Sequence, residues 1–239
     1  MRPLLTRGIL QACLLPAVVL AQEPGITREQ AEAILDELRQ IRMLLERAVR
    51  PPETAEEPRK AVMRISEDHW LGNKDAPLTL VEFTDYECTF CRRFQVVTFP
   101  ELRKKYIETG KLRFTSRDLP LDFHSRAFRA AEAARCAGDQ GRFWEMRELL
   151  VSTGKLDEED ITAHARQLKL DLKAFGACLA EGKHRTAIQQ DILEAAQLGV
   201  NGTPGFVIGR STPEGVEGEI LMGAHPLPVF EAKLKEYER

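Results

Sequence analysis

The sequence lacks an apolar run long enough to cross a bilayer, has no excess of positive charge and contains few cysteines. A spanning helix needs roughly 18 or more apolar residues, and no stretch of the chain reaches that length. The formal net charge is −3, which gives none of the basic field that a nucleic-acid partner requires. Apolar residues make up 43% and charged residues 30% of the chain, as in ordinary globular proteins. The five cysteines are therefore the most informative of the rare residues.

Residues 1–21 are typical of a secretory signal peptide. Two arginines precede a mostly apolar stretch at residues 9–20, and small residues end at Ala21, after which we expect cleavage. Retention of this segment as a membrane anchor and lipid attachment at Cys13 are the alternatives. Export predicts a periplasmic or other extracytoplasmic location, and it leaves four cysteines. An even number of cysteines in an oxidising compartment favours disulfides.

Residues 22–50 are predicted to form an amphipathic helix, with a capping box at Thr27 and Gln30. Its apolar residues recur at spacings of four and three, as in a coiled coil: Ile34, Leu38, Ile41, Leu45 and Ala48. Such a stripe predicts a homo-oligomer through residues 27–49, and docking of the helix onto its own chain is the alternative. Residues 51–62 are rich in proline and charge, so we predict a linker.

From residue 63 onwards, the pattern is that of a mixed α/β domain. Residues 78–84 are nearly continuously apolar, as in a buried strand, and a helix (89–107) and a second strand (112–116) follow. Strand, helix and strand in this order predict a βαβ unit with parallel strands. A block of four predicted helices follows, at residues 125–137, 142–152, 158–168 and 172–198. After it we predict an antiparallel hairpin of two strands, 206–208 and 219–222, and a last helix at 227–237.

Cys88 and Cys91 form a Cys-x-x-Cys pair where the buried strand ends and the helix begins. The free N–H groups and partial positive charge of a helix N-terminus stabilise a thiolate. A spacing of three places the second sulfur one turn further along the same face. We therefore predict that Cys88 is the exposed nucleophile and Cys91 the buried resolving thiol. Half of a zinc site and an inert disulfide are the alternatives, although structural zinc usually takes four ligands and the sequence has no further pair at ligand spacing.

Residues 63–239 resemble the DsbA-like thioredoxin-fold oxidoreductases, including the branch called Thioredoxin_4. Besides the cysteine pair, the resemblance is carried by four segments, at residues 80–83, 117–121, 136–144 and 199–204. It implies an α/β thioredoxin fold (βαβ plus ββα) with a helical insertion at about residues 122–198. The order of predicted elements agrees with that fold.

The resemblance also implies roles for three residues. Glu82, six residues before Cys88, matches the buried acid of the family, whose raised pKa would let it exchange a proton with Cys91. A solvent-facing position on an edge strand is the alternative. Pro204 matches the cis-proline that faces the cysteine pair, and Thr203 before it would offer its backbone to a substrate peptide. An ordinary trans proline is the alternative.

Cys136 and Cys178 remain after the active pair, and we predict that they form a structural disulfide within the helical insertion. The alternative is two free buried thiols. The five histidines are scattered, so none is assigned a metal or a catalytic role. For His124, helix capping or surface exposure is expected.

The function implied by the resemblance is protein thiol–disulfide exchange, with the Cys88–Cys91 disulfide as the redox group and no cofactor or metal. Expected partners are unfolded or misfolded exported proteins and a membrane redox protein. The chain has Thr89 and Phe90 where the best-known oxidases of the family have Pro-His, so we expect a less acidic Cys88 and a milder oxidant. An oligomeric isomerase or reductase and a non-catalytic binding chaperone are the alternatives.

Overall fold

The computed structural model describes residues 26–49, 59–65 and 69–238, so the predicted signal peptide and most of the predicted linker lie outside the described residues. Helix α1 (Arg28–Val49) belongs to an N-terminal unit that is distinct from the following domain. At its start, the N–H of Thr27 donates to Gln30 Oε1 at 3.0 Å, and the N–H of Gln30 donates to Thr27 Oγ1 at 3.2 Å. These reciprocal bonds make up a capping box.

The described part of the second unit contains one five-stranded mixed sheet. Its strands are β1 (Lys60–Arg64), β2 (Leu78–Thr84), β3 (Leu112–Asp118), β4 (Gly205–Ser211) and β5 (Gly215–Met222). The order across the sheet is β1-β5-β4-β2-β3, in which only β2 and β3 run parallel. The predicted βαβ unit and the predicted antiparallel hairpin therefore both form, and the predicted thioredoxin fold is confirmed.

Helix α2 covers residues 89–107 and alternates between two helical forms. It consists of α (Thr89–Arg93), π (Phe94–Thr98), α (Phe99–Leu102) and π (Arg103–Ile107) segments. Pro100 lies in the first turn of the second α segment, where its missing N–H costs least. The remaining helices are α3 (Ala127–Gly138), α4 (Phe143–Thr153), α5 (Glu158–Gln167), α6 (Leu172–Glu181), α7 (Arg185–Leu198) and α8 (Leu227–Tyr237).

Two boundaries predicted from the sequence are wrong. The helix predicted at 172–198 is two helices, because Gly182 adopts a φ of 61° and ends α6. The predicted linker 51–62 also ends too late, because β1 begins at Lys60 and pairs antiparallel with β5. In β1 only Ala61 and Met63 are buried. Because the exposed residues between and beside them include the apolar Val62 as well as two charged residues, the sequence shows no clear alternation of apolar and polar residues.

Helices cover both faces of the sheet. Because side chains alternate along each strand, the position of a residue in its strand decides which face it reaches. Leu80 packs with α2 and α8, whereas Val81 and Phe83 pack on the opposite face with α7. Successive residues of a strand point to opposite faces, so Glu82 lies on the face of Leu80, towards α2. Helices α3–α7 form the insertion between β3 and β4, with a core of their own that is rich in alanine.

Candidate active site

The cysteine pair lies at the junction between β2 and α2. Cys88 is the N-cap residue of α2, and Cys91 is one turn further along the helix. The N–H of Arg92 donates to the carbonyl oxygen of Cys88 at 3.1 Å, which closes the first turn. Cys91 is fully buried, whereas Cys88 retains 6% of its surface. The expectation of an exposed Cys88 is therefore wrong, because the loop before β4 covers its sulfur.

That covering loop contains a cis peptide bond between Thr203 and Pro204. The thiol of Cys88 donates to the carbonyl oxygen of Thr203 at 3.4 Å. The hydroxyl oxygen of Thr203 is buried and has no hydrogen-bond partner among the described residues. The loop thus places one backbone carbonyl and one unpaired hydroxyl against the reactive sulfur.

The two thiols have opposite acid–base properties. The pKa of Cys88 is lowered to about 5, chiefly by a hydrogen bond from the Cys91 side chain, although burial opposes the change. The Thr203 side chain and the N–H groups of Cys91 and Phe90 lower it further. The pKa of Cys91 is raised, because it is buried, because it donates to Cys88 and because the negative charge of Glu82 is near. Cys88 is therefore the thiolate of the pair, and Cys91 keeps its proton.

Glu82 is fully buried in β2, which has β4 on one side and β3 on the other, so the alternative of a solvent-facing edge position is wrong. Burial raises its pKa, and the nearby Arg147 guanidinium partly opposes that rise. Nη2 of Arg147 donates to Glu82 Oε2. The two residues therefore form a buried ion pair on the α2 face of the sheet.

Arg147 was missed in the sequence, although a signal for it exists. It lies in α4, three or four residues from Phe143 and Leu150, which are both buried. An arginine at that spacing stands on the apolar face of the helix, where a charge requires a buried partner. The sequence does not say which carboxylate that partner is.

A hydrogen-bonded pair, His124 and Asp85, holds the segment that leads from β2 to the cysteines. The ring of His124 contacts Asp85 through Nδ1, 2.8 Å from Oδ2, and the same oxygen accepts the N–H of Leu121 at 2.8 Å. Asp85 is fully buried. His124 thus ties the segment after β3 to the end of β2, and expecting no more than helix capping or surface exposure was wrong.

Cys136 and Cys178 form a disulfide between α3 and α6, with Cα atoms 5.9 Å apart. In the described part of the chain, one group of potential metal ligands occurs, namely Cys136, Cys178 and His184. Both sulfurs are used in the disulfide, so neither is available as a thiolate ligand. The disulfide joins two helices of the insertion and lies outside the α2 site.

A fold with a cysteine pair at the start of α2, a cis-proline loop against it and a helical insertion defines a class of proteins, the DsbA-like thiol–disulfide oxidoreductases. The chain belongs to the thioredoxin family Thioredoxin_4, whose model matches residues 65–216. Among solved structures, it is similar to α-DsbA1 of Wolbachia pipientis, with 25% identity and a TM-score of 0.62 over 74% of this chain and 93% of that one. It is also similar to a thioredoxin-like oxidoreductase from Silicibacter pomeroyi, with 25% identity and a TM-score of 0.59 over 71% and 91% of the two chains.

Curated relatives match part of the chain. One of them, the Na⁺/H⁺ antiporter NhaA 1 of Salinispora arenicola, is 40% identical over 143 residues, which are 59% of this chain and 21% of that protein. The chain thus spans about a fifth of that relative's length, and the antiporter name describes the whole of that protein. In the described residues of this chain, no helix is both long and apolar enough to cross a membrane.

Proposed function

We propose that the protein is an exported thiol–disulfide oxidoreductase that exchanges disulfides with protein substrates through Cys88 and Cys91 during oxidative folding. The observation that carries this proposal is the placement of the two thiols at the start of α2, where the sulfur of Cys88 lies 3.4 Å from the carbonyl oxygen of Thr203 in the cis-proline loop. The opposite directions of the two thiol pKa shifts agree with it. A reactive pair needs one thiolate that attacks or leaves easily and one protonated thiol held beside it. The redox group is the Cys88–Cys91 disulfide, without a further cofactor or metal.

In the oxidising direction, a substrate thiolate attacks the sulfur of Cys88. A bond forms between these two sulfurs, and the Cys88–Cys91 bond breaks, with its electron pair leaving on Cys91, which takes up a proton. A second substrate thiolate then attacks the substrate sulfur of the mixed disulfide, and Cys88 leaves as a thiolate. The substrate loses two electrons, and the cysteine pair gains them.

The acidity of Cys88 favours this direction. Stabilising its thiolate stabilises the reduced pair, which makes the disulfide form a stronger oxidant. At pH 7, a fall in the thiol pKa from 9 to about 5 stabilises the reduced pair by about 2.7 kcal/mol, which is about 60 mV for two electrons. Thr89 and Phe90 between the cysteines therefore do not prevent a strongly acidic Cys88.

The expected substrates are unfolded or misfolded exported proteins. Phe90, between the cysteines, is 58% exposed, and Phe123, beside the tethered His124, is 77% exposed. Exposed aromatic side chains near a reactive site suit the apolar segments that an unfolded chain presents. The backbone of Thr203 would pair with such a segment as an added strand. Repeated turnover needs an oxidant, and we assign this role to a membrane redox partner.

A refolding assay tests the proposal. The oxidised protein should restore activity to a reduced, unfolded enzyme that needs disulfides, and Cys88→Ser should not. Given a substrate that already contains a disulfide, the Cys88 thiolate of Cys91→Ser should attack it, release one substrate thiolate and accumulate as a mixed disulfide, because no second thiol resolves it. A wild-type protein that transfers no disulfide would refute the proposed function.

A second candidate, an oligomeric isomerase, is favoured by the stripe on α1. Ile34, Leu38 and Ile41 are each about half exposed, at 48%, 55% and 49%. Helices with such a stripe associate to bury it. Association would bring several Cys88 sites around one misfolded substrate. The redox state of Cys88 in cells, read by thiol trapping, separates the candidates, because an oxidase is kept mainly oxidised and an isomerase mainly reduced.

A further inference from the structure

Arg147 is the largest of the side chains that are fully buried in the described part of the chain. It starts from α4 in the helical insertion and reaches the α2 face of the sheet, where it meets residues of β2, β3 and α2. Moving a guanidinium out of water is costly unless its donors are satisfied. A buried arginine that joins two parts of a fold therefore requires an explanation beyond packing.

Each arm of the guanidinium has a partner. Nη1 donates to Gln95 Oε1 at 2.6 Å, Nε donates to Ser116 Oγ at 3.3 Å, and Nη2 donates to Glu82. The rings of Phe99, Phe114 and Trp144 lie 5.6 to 6.0 Å from its central carbon. These contacts fix one orientation of the guanidinium, and through it one orientation of the carboxylate.

The two oxygens of Glu82 are not equivalent. Oε2 accepts the hydrogen bond from Arg147, whereas Oε1 is buried and has no partner within hydrogen-bond geometry among the described residues. The Thr84 hydroxyl is near enough to lower the pKa of this carboxyl, but it too makes no hydrogen bond with that geometry. Besides Arg147, the titratable groups that face Glu82 are Cys88, Cys91 and Tyr86. An unpaired carboxylate oxygen near a protonated thiol is a suitable proton acceptor.

We propose that Arg147 is a positioning residue for disulfide exchange: it anchors Oε2 of Glu82 so that Oε1 is the atom that exchanges a proton with Cys91. This inference rests on the proposed function and assigns the helical insertion a part in the chemistry. In the resolving step, Cys91 gives its proton to Oε1 and its sulfur attacks Cys88. The Cys91–Cys88 bond forms, the bond from Cys88 to the substrate sulfur breaks, and that sulfur leaves with the electron pair.

Arg147 also keeps Glu82 able to accept. Burial alone favours the protonated carboxyl, which cannot accept a proton from Cys91. The Arg147 guanidinium favours the carboxylate and so opposes the effect of burial. Without Arg147, a larger fraction of Glu82 would be protonated at neutral pH. The step that needs the free carboxylate would then shift to higher pH, while the acidity of Cys88, which depends on Cys91, Thr203 and backbone N–H groups, would change little.

An aromatic disulfide that releases a coloured thiolate tests this on the reduced full-length protein. The first equivalent is released when Cys88 attacks, and the second when Cys91 resolves the adduct. Arg147→Met should leave the first phase unchanged and slow the second about tenfold at neutral pH, with its half-maximal pH raised by about one. Arg147→Lys, which retains the charge, should slow the second phase only about threefold. Arg129→Met is the control, because the partners of Arg129 are all in the insertion, and it should change neither phase.

The same substitutions in a Glu82→Gln background decide whether Arg147 acts through Glu82. There Arg147→Met should change the second phase less than twofold. An equal slowing in both backgrounds, or an unchanged pH profile in Arg147→Met alone, would overturn the inference. If Arg147→Met does not fold, Arg147→Lys decides by the same comparison. If the wild type transfers no disulfide to proteins, the proposed function fails, yet the two coloured phases still report on Arg147.

Discussion

The sulfur of Cys88 lies 3.4 Å from the carbonyl oxygen of Thr203, the residue that precedes the cis peptide bond to Pro204. This contact brings the start of α2 and the loop before β4 into one site, although 115 residues separate them in the sequence. The thiol needs an acceptor and the thiolate needs a donor. Thr203 has both, since its carbonyl accepts from the thiol and its hydroxyl lowers the pKa of the cysteine.

Thr203→Val should make Cys88 less acidic. The Cys91 side chain is the largest cause of the low pKa and would remain, but the donor hydroxyl would be lost. A hydrogen bond to a charged group contributes about 1.5 kcal/mol or more, so the pKa of Cys88 should rise by about one. The ultraviolet absorbance of the thiolate, titrated against pH, measures it. Thr203→Ser keeps the hydroxyl and should behave like the wild type; an unchanged titration in Thr203→Val would remove Thr203 from the account.

The free energy of unfolding should depend on pH through the ionisation of Asp191. Its pKa is raised to about 7 by burial and by the neighbouring carboxylate of Asp118, against the attraction of Arg135 and Arg117. In the unfolded chain this carboxyl titrates near pH 3.9, so between about pH 4 and 7 only the folded state holds the proton. Stability is therefore lost as pH rises through this window, by up to about 1.4 kcal/mol per pH unit.

Asp191→Asn should remove that slope, and its amide oxygen can still accept the N–H of Asp118. Urea unfolding of both proteins at several pH values gives the difference in free energy of unfolding, in which the other carboxyls cancel. The difference should move in favour of the variant as pH rises. A difference that is independent of pH would mean that Asp191 does not titrate in this window.

The disulfide between Cys136 and Cys178 should stabilise the protein substantially. It closes 42 residues, and the chain-entropy model gives about 4 kcal/mol for a loop of that length. Cys136→Ala combined with Cys178→Ala should therefore lower the free energy of unfolding by about this amount in denaturant titrations. The single variant Cys136→Ala should lose nearly as much, since either change opens the loop. Equal stability of all three proteins would contradict a structural role.

Much of the fold was predictable because local patterns and tertiary burial agree. Residues 78–84 were predicted as a strand because they are nearly continuously apolar, and β2 is indeed buried throughout. The last helix was predicted at 227–237, as found, because its apolar face follows a helical period. The break at Gly182 was missed because the flanking residues continue a helical pattern. Strand β1 was missed because five residues with two buried side chains give too short an alternation.

The part of the active site that depends only on local sequence could be predicted. The Cys-x-x-Cys pair needs only a helix start, and its spacing is visible in the sequence. Arg147 lies 65 positions after its partner Glu82 in the sequence, and His124 lies 39 positions after its partner Asp85. No local pattern encodes which carboxylate such a side chain meets. Only the placement of the insertion over the end of β2 decides it.

The apolar stripe on α1 should drive self-association of the full-length protein. Leu38→Lys combined with Ile41→Lys should dissociate the oligomer, because two charges would have to be buried in its seam. Light scattering at tens of micromolar measures the mass of each protein. Gln40→Lys, on the exposed polar side of the helix, is the control and should retain the mass of the wild type. A monomeric wild type would exclude the oligomeric isomerase.

The reactivity of Cys88 as a function of pH tests the central claim most directly. The reduced protein is treated with iodoacetamide over a range of pH, and mass spectrometry locates the adduct. Because only the thiolate reacts and the pKa of Cys88 is about 5, labelling should fall on Cys88 and reach half of its maximal rate near that pH. Cys91, buried and with a raised pKa, should stay unlabelled. Labelling of Cys91 first, or a Cys88 rate that still rises up to about pH 9, would contradict the account.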